Sequence, residues 1–88
     1  MPSARELQRY RRMVEDVLSG LGRDDVGVGD VREIRDGVLA ITLSRGPHTY
    51  TTEIPADRLR TRDLARAAVS GALILFSKKV AQETPQGS

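Results

Sequence analysis

Apolar positions along the first twenty residues recur at helical spacing. Leu7, Tyr10, Val14, Val17 and Leu21 follow one another three or four residues apart, and Met13 and Leu18 widen the stripe. At 100° per residue they cover an arc of roughly 140°, the width of a helix that faces a core. Ser3-Ala4-Arg5-Glu6 fits a capping box, with Ser3 at the N-cap and Glu6 at N3. Gly20 and Gly22 supply the stop. The predicted helix covers about residues 4–20.

The period then changes from helical to alternating. Residues 23–55 are rich in Val, Ile and Thr and are punctuated by Asp36-Gly37 and Gly46-Pro47. Asp36-Gly37 is a two-residue hairpin signal of the type I′ kind, in which both central residues take positive φ. Leu39, Ile41 and Leu43 alternate with Val38, Ala40 and Thr42, and residues 48–54 form a third strand. In the first strand Val26 and Val28 share one parity and Val31 the other, which predicts a bulge near Gly29-Asp30.

Pro55 ends the last strand, a turn follows over Ala56–Leu59, and Thr61 caps a long helix reaching about residue 82. Its wheel places Leu64, Ala65, Ala68, Val69, Ala72, Leu73, Leu75, Phe76 and Val80 in an arc of roughly 180°, with Ile74 apart beside Ala67 and Ala81. The expected architecture is α+β in the order α-β-β-β-α. A three-stranded antiparallel meander carries two helices packed on one face. Residues 1–83 form a single compact domain, and residues 84–88 have no reason to order.

The run "AAVSGALILF" at 67–76 stands out in a chain whose residues are 30% charged. A membrane helix needs roughly 20 apolar residues, and Arg66 and Lys78 flank this run closely. The arc is nevertheless wider than core packing requires. Most of the run reads as core, and a single exposed isoleucine is normal; the width together with the off-face Ile74 also fits a second surface, most simply another copy of the chain. Ile74, with Ala67, Ser70 and Phe76 around it, is the expected interface.

Net charge is +2, which speaks to solubility more than to a partner. The chain has no cysteine, and Arg5, Arg9, Arg11 and Arg12 lead into no apolar signal segment, so the expected compartment is the cytosol. All basic residues except Lys78 and Lys79 are arginines, which suit bidentate pairing with phosphate or carboxylate. If the helices run antiparallel to their neighbouring strands, Arg5, Arg9, Arg35, Arg58, Arg60 and Arg62 collect at one end. A phosphate-backbone binder would use such an end. The interspersed carboxylates argue instead for a salt-laced solvent face: Glu15 and Asp16 follow Arg11 and Arg12 by four residues, and Glu6 precedes Arg9.

The order α-β-β-β-α resembles the layout of double-stranded-RNA-binding domains by topology only. Those domains share a lysine cluster that opens the second helix, whereas Lys78 and Lys79 lie near the end of this one and Arg58, Arg60 and Arg62 stand at its start. His48, the only histidine, has no cysteine or second histidine to complete a metal site and no nucleophile elbow to serve. Asp24, Asp25 and Asp30 lack the alternation and the twelfth-position glutamate of a calcium loop. The outer sheet face, carrying Val38, Ala40, Thr42, Thr49, Thr51 and Glu53, is small-residued and polar enough to be plainly solvated or to dock a partner.

No cofactor is expected. The function class is a non-enzymatic, homo-oligomeric protein-interaction or regulatory module. Nucleic-acid backbone binding through the arginines is the alternative.

Overall fold

The computed structural model describes residues 3–83, so the expectation for the tail at 84–88 lies outside the described residues. Helix α1 (Ala4–Gly20) leads into strands β1 (Gly27–Arg35), β2 (Val38–Arg45) and β3 (His48–Pro55). A short 3-10 turn (Ala56–Leu59) then precedes helix α2 (Arg62–Glu83). The sheet is antiparallel in the order β1-β2-β3, and the α-β-β-β-α meander is the expected one.

Local chemistry accounts for the boundaries. The Ser3 hydroxyl accepts from the Glu6 N–H at 3.2 Å and opens α1. At its other end the Arg23 N–H reaches the Leu18 carbonyl and the Gly22 N–H the Ser19 carbonyl, at 2.9 and 3.0 Å. This is a Schellman stop, and Gly22 adopts the positive φ of 73° that it needs. The Thr61 hydroxyl accepts from the Leu64 N–H at 3.3 Å and starts α2.

Register settles the strands. Val28 pairs with Leu43 and Val31 with Ile41, so Gly29 and Asp30 bulge opposite Thr42 and both valines keep to the inner face. A second irregularity between Glu33 and Arg35 leaves Ile34 unpaired and 43% exposed. The Asp36-Gly37 turn departs from the type I′ expectation. Gly37 has a φ of 75°, but no non-glycine among the described residues has a positive φ. The extra residue at Ile34 adjoins this turn, as a bulge accompanies hairpins whose turn has positive φ only at its glycine. At the second hairpin Gly46, φ 59°, precedes Pro47 between the paired Arg45 and His48, the glycine-first order of a type II′ turn.

Both helices cover one face of the sheet. The core joins Val14, Val17 and Leu18 of α1 to Leu39, Ile41 and Leu43 of β2 and to Ala65, Val69, Ala72, Leu73 and Phe76 of α2. Phe76 stacks on Tyr50 with ring centroids 5.7 Å apart. α1 packs on β1, α2 on β3, and the helices touch each other. One part of the predicted core is not core: Leu64 and Leu75 are 39% and 50% exposed. Apolar residues surround most of α2, so the wheel alone gives no phase, and packing chose the side that carries Phe76.

Candidate interaction surfaces

The outward side of α2 presents Leu64, Ala67, Gly71, Ile74 and Leu75, with Ile74 the most exposed of them at 59%. Between this side and β3 runs an open groove of about 350 Å³, floored by Ala67, Ala68 and Gly71 and walled by Ile54, Pro55 and Leu75. Gly71 sits mid-helix, and a Cβ built there would meet nothing within 4 Å. Glycine in a helix interior costs about 1 kcal/mol relative to alanine, and no turn or contact within the chain requires one at this position.

Of the expected interface residues, Ile74 and Ala67 lie on this surface. Ser70 is half-buried and shares a shallow hollow with Ile74, Leu21, Arg23 and Leu73, so these two expected residues do stand together on the flank of the face. Phe76 is only 3% exposed, because its ring is spent on Tyr50, and it is withdrawn from the interface. Leu64 and Leu75, read from the wheel as core, take its place. The interior glycine was the sequence signal that could have found this face.

Both sheet edges are blocked at particular points. The alternation of hydrogen-bonded pairs from Arg45–His48 leaves the main-chain groups of Thr49, Thr51 and Glu53 on the free side of β3. The Lys79 ammonium donates to the Thr49 carbonyl at 2.7 Å and lies 5.9 Å from the Tyr50 ring centroid. Pro55 offers no N–H at the other end of the strand. On β1, the Arg11 guanidinium donates to the carbonyls of Val28 and Gly29 at 2.7 and 2.6 Å, occupying acceptors that the bulge releases. Cations, proline and a bulge are the devices that stop strands from pairing between molecules.

The outer sheet face is bridged rather than bare. Arg35 on β1 pairs with Glu53 on β3 at 2.8 Å, spanning the central strand. Ala40, between Arg32 and Glu53 in register, is 6% exposed although it points outward, since its long neighbours lie over it. The Thr42 and Thr51 hydroxyls share a hydrogen bond of 3.0 Å.

The six arginines expected at one end have separate surroundings. Arg5 and Arg9 stand with Arg12 on α1, and Arg35 holds Glu53. Arg60 lies 3.5 Å from Asp57, an exposed pair worth little. Arg58 lines the α2 groove. Arg62 lies beside Gly20, where a Cβ would come within 3.7 Å of its guanidinium. The first turn of α2 therefore adjoins the last turn of α1, not the first: the helices pack on each other, which a scheme of parallel rods along the strands omits. Near the start of β1 the Arg23 side chain donates to Asp25 at 3.2 Å, and that bond above all holds the Asp25 carboxyl below its ordinary value.

His48 is half-buried at the head of β3. Among the described residues no three His, Cys, Asp or Glu side chains gather closely enough to hold a metal ion, and no helix is long and apolar enough to cross a membrane. Comparison of the chain with protein-family models, with curated proteins and with solved structures gave no match.

Proposed function

We propose that this chain is a non-enzymatic interaction module that self-associates through the outward side of α2, a second copy lying antiparallel across Gly71. The observation that carries this reading is the glycine. An interior helical glycine with open space above it is explained by the close approach of another backbone. An antiparallel crossing centred on Gly71 sets Leu75 of one copy against Ala67 of the other and Ile74 against Ala68, large against small at each step.

Charge agrees with that orientation. Asp63 opens α2, Lys78 lies near its end, and neither takes part in an ion pair among the described residues. The antiparallel arrangement brings each toward the other copy's opposite charge, and it opposes the helix dipoles favourably. The cation-capped carbonyls of β3 and β1 and the proline that ends β3 work against strand pairing as the route. A stripe from Leu64 to Lys78 is about 21 Å long, at the small end of stable interfaces. A dissociation constant in the micromolar range, about 8 kcal/mol, is therefore expected.

Light scattering across a wide concentration range tests this. Ile74→Asp is expected to return the dimer to monomer mass while the far-ultraviolet circular dichroism stays unchanged. A wild-type chain that stays monomeric at high micromolar concentration, or an Ile74→Asp chain that still dimerises, refutes the assignment.

A further inference from the structure

Arg5, Arg9, Arg12, Asp16 and Gly20 are spaced 4-3-4-4 along α1 and so form one stripe of the helix. The carboxylates four residues after or three before these arginines in the sequence do not form ion pairs with them. Arg11 reaches Glu15 at 3.9 Å, but Arg5, Arg9 and Arg12 enter no ion pair among the described residues. Together with Gln8 they alone line a surface hollow of about 280 Å³.

The stripe ends at Gly20, and there the tertiary structure adds what the sequence does not place. With no side chain at Gly20, the Arg62 guanidinium comes up beside the helix. Arg62 and Arg66, with Asp63, line a second hollow of about 260 Å³ against Val17 and Gly20. Neither of these two arginines is ion-paired among the described residues. Five unpaired guanidiniums thus follow α1 over about 22 Å, interrupted only by Asp16 within the stripe and Asp63 beside its end.

We infer that this track is a binding site for the phosphate backbone of a nucleic-acid duplex. A small anion held among Arg5, Arg9 and Arg12 would leave Arg62 and Arg66, at the far end of the line, unengaged. That line matches a rigid polyanion: about six phosphates of one strand, at 3.4 Å along the axis, fit its length. Arginine meets phosphate oxygens bidentately and stays charged. The chain has only Tyr10, Tyr50 and Phe76 as aromatics. Tyr10 and Tyr50 pack against the core and Phe76 is within it, so no platform exists on which to stack the bases of a single strand. The site lies on α1 and the inward flank of α2, and it does not depend on self-association.

The test is fluorescence anisotropy with a labelled 20-base-pair RNA duplex, the matching DNA duplex, one single strand and polyglutamate as a competitor, over a series of salt concentrations. Five contacts predict a log–log salt slope near −4.5, an affinity loss of about 500-fold between 50 and 200 mM salt. Arg9→Ala and Arg62→Ala are each expected to weaken binding several-fold and to reduce the slope by about one. Asp16→Asn is expected to tighten binding several-fold, a gain that a folding defect cannot imitate. Arg32→Ala, on the outer sheet face beside Asp30, serves as the control and should change little. Absence of duplex binding at 50 mM salt overturns the inference. So does an Arg32→Ala loss equal to that of Arg9→Ala, an Asp16→Asn chain no tighter than wild type, single-strand binding tighter than duplex, or displacement of the duplex by polyglutamate at equal charge.

Discussion

On one side of α2, Ala65, Val69, Ala72, Leu73 and Phe76 are buried against the chain's own sheet and α1; on the other, Leu64, Ile74 and Leu75 remain 39%, 59% and 50% exposed. The two sides are built from the same residue types, yet only the first has a partner within the molecule. The difference lies in size order. The buried side sets its small Ala65 and Ala72 among larger core residues and its one aromatic ring where Tyr50 waits. The outward side has the reverse relief, a trough of Ala67, Ala68 and Gly71 flanked by larger side chains. A trough of that kind offers nothing to a sheet and suits the ridge of another helix.

Substitutions can separate the two sides. The largest effect is expected at Phe76→Ala. Removing a fully packed ring costs about 3–5 kcal/mol, much of the stability of a domain this small. Urea denaturation should show it in monomer and dimer alike, whereas Ile74→Asp should leave the monomer midpoint nearly unmoved.

A middle-sized and opposite effect is expected at Gly71. In dilute, monomeric conditions Gly71→Ala should stabilise the fold by about 1 kcal/mol, the helix-propensity difference. Nothing within the chain meets the added methyl group. Gly71→Leu should keep a folded monomer and fill the trough, weakening association at least tenfold by light scattering. A destabilising Gly71→Ala would mean that the glycine serves the chain's own packing, and the contrast between the two sides would fail.

The smallest effect is expected at the boundary between them. Lys79→Ala removes the bond to the Thr49 carbonyl and the contact with Tyr50, for a loss of about 1 kcal/mol. It also uncovers the β3 edge. Aggregation of that variant, detected by scattering under conditions where Leu75→Asn remains clear, would show that the lysine guards the edge and the apolar face does not.

Much of the fold was legible in the sequence, because its signals are local. The Ser3 and Thr61 caps, the switch from helical to alternating period and the parity break between Val28 and Val31 each depend on residues a few positions apart. The conformation of the Asp36-Gly37 turn was less legible, since the register irregularity at Ile34 accompanies a turn in which only Gly37 takes positive φ. The candidate surfaces were legible only in part. Ile74 and Ala67 could be named from the wheel, but Leu75, read as core, is exposed, and Phe76, read both in the core arc and at the interface, is core alone, as hydropathy cannot orient a helix that is apolar on most of its circumference.

The sequence by itself determined which segments are helix and strand, where they stop and which residues of the meander alternate inward, since capping, turn chemistry and side-chain period act over short distances. Tertiary structure alone decided which side of α2 is inward and which arginines stand together. Both depend on how α1 and α2 lie against each other. Arg62 joins the line of Arg5, Arg9 and Arg12 through a missing side chain at Gly20, a contact between residues far apart in the chain. Periodicity along one segment carries no information about that contact.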